Sequence, residues 1–308
     1  DGYGATVITN ANNIAEQGIQ GIENLGGTIY GDTLIGNDSS NKIYGYYGND
    51  LLQGRGGIDY LYGGVSQDIL VGGDDDDFLY GEEDNDTFYG GKGKDTIDGG
   101  STGDDAVAFN TVYTGDIALT TGVYVNLTTQ KVYNDGYASD TTNGIDTLVS
   151  IERVLGSSLD DTLVGKSDYD GLYGYDGDDT IFVSASGTDT LDGGNHTISL
   201  TGTTQGSTTP LAGKGDWLSF EDISTSVNAT MADGSITGGL GTTTIFEIEN
   251  LFGSLQDDIL RGDTNGNTLH GNSGNDTIYG IAGNNYLDGG ANNDLIFAGL
   301  GSDIMVGG

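Results

Sequence analysis

The chain counts in nines. From Asp32 an acidic or amide residue returns every ninth position, at Asn41, Asp50, Asp59, Asp68, Asp77, Asp86 and Asp95. Two residues after each stands a large apolar side chain: Leu34, Ile43, Leu52, Leu61, Leu70, Leu79, Phe88 and Ile97. A glycine-rich stretch precedes each acid, as in Gly72-Gly73 and Gly90-Gly91-Lys92-Gly93. Such a period is too short for a helix and a connection, and it suits one short strand and one tight turn. Side chains alternate along a strand, so the apolar residue points inward and its two neighbours point outward. The glycines supply the positive-φ conformations and the room that a tight turn needs.

Two strand–turn units make one coil, so each turn stacks on the turn two repeats earlier. Adjacent strands lie about 4.8 Å apart, which brings stacked acids together in columns. One edge should carry Asp32, Asp50, Asp68 and Asp86, and the other Asn41, Asp59, Asp77 and Asp95. A bare column of carboxylates repels itself. A cation that accepts several oxygens converts the repulsion into a cross-link, and Ca²⁺ takes about 6–8 oxygen ligands.

The pattern resembles the RTX nonapeptide G-G-x-G-x-D-x-U-x, with U large and apolar, a calcium-binding repeat of parallel β-rolls. The resemblance implies an all-β fold, a right-handed parallel β-roll or β-solenoid, with several Ca²⁺ ions between successive turns held by the repeat Asp and turn carbonyls. A second series runs Asp161, Asp170 and Asp179, then slips by one residue to Asp189, with Leu163, Leu172, Ile181 and Leu191 as apolar partners. The slip predicts a bulge or a wider coil. A third runs Asp258, Asn267, Asp276, Asn285, Asp294 and Asp303, with Leu260, Leu269, Ile278, Leu287, Ile296 and Met305. Here Asn267, Asn285 and Asp303 share an edge, which should be poor in calcium. The expected metal ligands are Asp32, Asp50, Asp59, Asp68, Asp77, Asp86, Asp95, Asp161, Asp170, Asp179, Asp189, Asp258, Asp276, Asp294 and Asp303.

Each series follows a similar phrase: Ile22-Glu23-Asn24-Leu25, Ile151-Glu152-Arg153-Val154 and Ile248-Glu249-Asn250-Leu251. The Glu lies nine residues before the first Asp, so it occupies the Asp register of an introductory coil. The expected organisation is a partial spacer over 1–21, repeat blocks over 22–100, 151–194 and 248–308, and β spacers over 101–150 and 195–247. The spacers begin alike, at Gly103-Asp104-Asp105-Ala106-Val107 and Gly215-Asp216-Trp217-Leu218, and read as wider β coils. Residues 10–20 are the only stretch with any helical character.

Composition fits a chain that folds when cations arrive. Its 308 residues carry 57 Gly, one Pro, no Cys and a formal net charge of −38. In-register glycines and acids argue against the disorder such a composition ordinarily implies, and metal binding couples to folding where no site exists beforehand. The charge excludes nucleic acid as a partner, because there is no basic patch to displace phosphate counterions. No apolar run is long enough to span a membrane. Extracellular modules bind calcium at about 10⁻⁴–10⁻³ M, and the resemblance implies export by a type I system, so an extracellular or bacterial cell-surface location is expected for a segment of a larger secreted protein.

Catalytic signatures are thin. The two histidines, His196 and His270, are far apart in sequence, with no H-E-x-x-H pair, and no G-x-S-x-G elbow or cysteine nucleophile occurs. The acids fall in the metal register, not in a glycosidase-like pair. No enzyme activity is expected. Outward positions are unusually apolar: Tyr44, Tyr60, Tyr62, Phe78 and Tyr80 recur at coil spacing on one face. Such rows either stabilise the roll as a ladder or form a contact surface for another subunit or domain. Three roles are compatible with these features: an S-layer or adhesin segment, an export-and-folding module of a secreted enzyme or toxin, or a carbohydrate- or ice-binding module.

Overall fold

A computed structural model of the chain describes residues 8–9, 23–110, 119–137, 144–166, 170–183, 189–194, 215–237 and 243–308. Every regular element among them is a β-strand. The chain divides into two compact units, Asp1–Leu155 and Gly156–Gly308. The possible helix at residues 10–20, together with Ile22 and His196, lies outside the described residues.

In the first unit two largely parallel sheets face each other, and from Asn24 to Ala108 the chain alternates between them at every turn. One contains the strands Asn24–Gly26, Lys42–Tyr47, Tyr60–Val65, Phe78–Glu83 and Thr96–Gly100; the other contains Asp32–Ile35, Leu51–Gly56, Ile69–Asp74, Thr87–Lys92, Ala106–Ala108 and Arg153–Leu155. Register follows the sequence count: Ile43 pairs with Leu61, Leu61 with Leu79 and Leu79 with Ile97. The core is therefore a two-sided stack of U residues. Ile43, Leu52, Leu61, Leu70, Leu79, Phe88 and Ile97 are wholly buried. Each buried Leu or Phe contributes about 1.5–3 kcal/mol, and a one-residue slip would exchange that face for the outer one.

The second unit repeats the plan. Leu163 pairs with Ile181, Leu172 with Leu191, Leu251 with Leu269 and Leu260 with Ile278. The slip before Asp189 is accommodated as a coil of 19 residues. Ile296 and Met305 hold the U register but are more exposed, since no described coil stacks beyond them.

The spacers are wider, as expected, and the widening has a particular form. Tyr124–Asn126 and Lys131–Asn134 make an antiparallel hairpin that joins the sheet beside Asp146–Val149. In the second unit Asn228–Thr230, Ser235–Thr237 and Thr243–Phe246 make an antiparallel meander. Short turns at Leu127–Gln130 and Met231–Gly234 reverse the chain, so the sheet gains strands without a further coil.

Candidate metal-binding turns

The turns between strands hold the acids, and their main chain explains the glycines. Positions are counted back from each column residue, so that D−4 lies four residues before it. In most turns D−4 and D−2 are both left-handed, for example Gly64 and Ser66 before Asp68, or Gly91 and Gly93 before Asp95. The glycine at D−5 answers a different demand. A Cβ on Gly72 would lie closer than 3.0 Å both to Asp77 Oδ2 and to the carbonyl oxygen of Gly90 one coil on. Gly45, Gly54, Gly81, Gly174 and Gly271 stand in the same cradle, each facing one carboxylate oxygen and one carbonyl oxygen.

Each column is stitched by its own main chain. The N–H of Asp32 donates to Asp50 Oδ1 at 2.6 Å, Asp50 to Asp68 and Asp68 to Asp86, both at 2.8 Å. On the other edge Asn41 donates to Asp59, Asp59 to Asp77 and Asp77 to Asp95. In the second unit Asp161 donates to Asp179 and Asp170 to Asp189, while Asp258, Asp276 and Asp294 form one column and Asn267, Asn285 and Asp303 another. Stacking of the acids in two columns is thus a property of the folded chain.

The second carboxylate oxygen divides the turns into two kinds. Oδ2 of Asp50, Asp59, Asp68, Asp77, Asp86, Asp179, Asp276 and Asp294 is buried and accepts no hydrogen bond. These are open turns, with a left-handed residue at D−4. In the closed turns the D−4 main-chain N–H donates directly to the column residue: Thr28 to Asp32, Asn37 to Asn41, Ser157 to Asp161, Lys166 to Asp170, Ser254 to Asp258 and Asp263 to Asn267. At Asp161 and Asp258 the serine hydroxyl donates to the other oxygen as well, at 2.8 Å. So Asp32, Asp161, Asp170 and Asp258, expected as ligands from register alone, already hold protein donors. The closed turns occupy the first coil of every block. At D−2 the closed turns carry Tyr30, Ser39, Leu159, Asp168, Gln256 and Asn265, but glycine there does not separate the two kinds, because the open turns carry left-handed Ser66, Asp75, Asp84 and Asn292 as well as Gly48, Gly57, Gly177 and Gly274.

Burial dominates the electrostatics of the open turns. It pushes Asp50 up to about 6, Asp59 and Asp68 to about 7, Asp86 and Asp179 to about 8 and Asp77 to about 9, with neighbouring column and turn acids adding to the rise at all of them. The N–H bond from the preceding coil opposes the shift without cancelling it. Asp189 and Asp276 rise to about 6 for the same reason. A buried acceptor left without a donor costs about 1–3 kcal/mol. Even eight of them rival the roughly 5–15 kcal/mol by which a whole domain is stable.

The donor set fits a hard cation. Among the described residues no three carboxylates or imidazoles converge as a metal cluster, so a cation at an open turn draws on a stacked pair of carboxylates and on turn carbonyls. All of these are oxygens, the donor chemistry of calcium. An asparagine in the column brings a donor of its own. Nδ2 of Asn285 donates to the Ala282 carbonyl at 3.0 Å and to Asp303 Oδ1 at 2.9 Å.

Sequence reading missed three members of the columns. Asp86 N–H donates to Asp105 Oδ1, Asp95 N–H to Asp146 Oδ1 and Asp179 N–H to Asp216 Oδ1. All three lie in the nominal spacers, and each heads a D-x-U triplet whose apolar member, Val107, Leu148 or Leu218, is buried. Glu152 and Glu249 take the next places, accepting the N–H of Asp105 and of Asp216 at 3.1 and 2.9 Å. His270 points out of the roll, stacked on Phe252 at 4.5 Å with Nε2 3.5 Å from Asp288.

Two sheets of short parallel strands, joined by glycine turns that stack buried carboxylates, define a cation-binding β-solenoid. The family model of the RTX calcium-binding nonapeptide repeat matches residues 26–61, 44–79, 62–97, 71–106, 155–186, 252–286 and 279–308. These matches cover more than half of the chain, which belongs to that family. No curated protein matches the sequence.

Proposed function

We propose that this chain is part of an extracellular, calcium-dependent structural protein of the bacterial surface, of S-layer or adhesin type, without catalytic activity. The observation that carries the reading is the row of buried, donor-less Oδ2 atoms at the open turns. Calcium bound there supplies the positive charge that the fold itself withholds. Asp50, Asp59, Asp68, Asp77, Asp86, Asp179, Asp276 and Asp294 are the ligands, with Asp95 continuing the column of Asp59 and Asp77, while Asp189 follows Asp170 and Asp303 follows Asn285. Millimolar calcium is an extracellular condition, so a roll of this kind completes its folding after export.

The aromatic rows supply the contact surface. Tyr44, Tyr62 and Tyr80 stack at 4.8 and 5.0 Å, and Tyr60 stacks on Phe78 at 4.7 Å. Their faces pack against one another and their edges point outward, half-buried, as a regular apolar strip. A neighbouring subunit or domain would bury those edges.

The test is a calcium titration of the purified chain, followed by circular dichroism and light scattering together. β signal and large particles that appear with calcium and vanish with chelator are expected. β signal with a monomeric particle would turn the assignment toward an export-and-folding module. A signal indifferent to calcium would sink the reading.

A further inference from the structure

The cation columns extend past the regular nine-residue count. We infer that Asp105 and Asp216, in the nominal spacers, are metal ligands, forming two additional cation sites with Asp86 and Asp179. The inference rests on the calcium reading of the open turns and goes beyond it in naming ligands outside the regular count.

At the second of these sites Asp179 is fully buried, at 0 % exposure, and its Oδ2 has no donor. That oxygen and the Gly193 carbonyl both lie closer than 3.0 Å to a Cβ placed on Gly174, the same cradle that recurs in the regular turns. The N–H of Asp179 donates to Asp216 Oδ1 at 2.7 Å, across 37 residues of sequence, where the regular step spans 18. The cradle then repeats one level on: Asp216 Oδ2 and the Glu247 carbonyl close over Gly193. The first unit builds the same arrangement independently. Asp86 Oδ2 is buried without a donor and shares the Gly81 cradle with the Gly99 carbonyl. Asp105 Oδ2 and the Ser150 carbonyl then close over Gly99. In both units a glutamate, Glu152 or Glu249, receives the N–H of the spacer Asp and continues the column.

The sequence around Asp216 shows what has been interrupted. Gly193 and Gly194 open a nonapeptide turn, residues 195–214 follow, and Gly215-Asp216-Trp217-Leu218 completes it with Leu218 in the core. A cation shared by Asp179 and Asp216 therefore closes a turn split by a long insertion. Closing a longer loop costs more chain entropy, so this site fills at higher calcium than its uninterrupted neighbours.

Trp217, the single tryptophan, lies directly beside Asp216 and makes the site addressable. Terbium replaces calcium in the full chain, and its emission is excited either through tyrosine, which reports the repeat turns, or through the indole alone. Indole-sensitised emission that calcium competes away, and that falls several-fold in Asp216→Asn but not in Asp222→Asn, is the expected result. Tyrosine-sensitised emission without any indole-sensitised emission overturns the inference, and so does an unchanged indole signal in a folded Asp216→Asn. The wild-type arm decides the matter if Asp216→Asn fails to fold. Absence of both emissions would instead count against the calcium reading of the turns.

Discussion

A single carboxylate oxygen decides the character of each turn. At Asp77 it is buried beside a carbonyl with nothing to donate to it; at Asp161 a serine occupies it. Replacing Asp77 with Asn keeps the oxygen that accepts the Asp59 N–H and removes the charge. Asp77→Asn should therefore hold its β signal at lower calcium than Asp77→Ala, and both should need more calcium than wild type, read from the titration midpoint. The cradle glycines are less forgiving. Gly72→Ala drives a Cβ into Asp77 Oδ2 and a carbonyl, so it should abolish folding of the first unit at calcium levels that fold wild type. The left-handed positions run the other way. Ile281 holds φ 68° with a β-branched side chain, a strain of about 1–3 kcal/mol. Ile281→Gly should raise the thermal midpoint with calcium present.

The closed and open turns show how far the sequence can be read at the scale of one element. Period, columns and core were all legible, because each depends on one residue recurring in one register. The division into two kinds of turn carries no such mark, since Ser66, Asp75, Asp84 and Asn292 stand at D−2 of open turns and the nine-residue count treats Asp32 and Asp50 alike. Asp105, Asp146 and Asp216 were hidden for a different reason. Inserted residues displaced them from the count while the D-x-U triplet kept its place in the sheet. The difference between turns is testable by exchange. Ser254→Gly combined with Gln256→Gly permits both left-handed positions, which turn the D−4 N–H away from Asp258, and removes the serine hydroxyl. The variant should bind one ion more than wild type by native mass spectrometry and lose stability in chelator.

At the scale of the molecule the raised carboxylates give the calcium-free chain an inverted pH response. In the unfolded chain these groups ionise near the usual value of about 3.9, whereas in the roll burial raises them to between about 6 and 9. The native state therefore holds protons that the unfolded state has released, so stability is full below about pH 4 and drains away as pH rises through 6 to 9. In chelator the β signal should be stronger at pH 5 than at pH 8. Calcium should restore it at pH 8, with proton release detectable in weakly buffered solution. The proposed assembly is tested at the same scale: Tyr60→Ser with Phe78→Ser should leave the calcium-induced β signal and reduce the particle size seen by light scattering.

The donor-capped first coils give the chain a memory of where to begin. Each block opens on turns whose column residue accepts a main-chain N–H from Thr28, Asn37, Ser157, Lys166, Ser254 or Asp263 within its own turn. When calcium falls, a roll frays at its ion-dependent turns and recedes toward that primer. When calcium returns, regrowth starts from three seeds in parallel, each already in register. A surface of the proposed kind, exposed to fluctuating ion supply, would thereby be mended in place, without a fresh search for the starting fold.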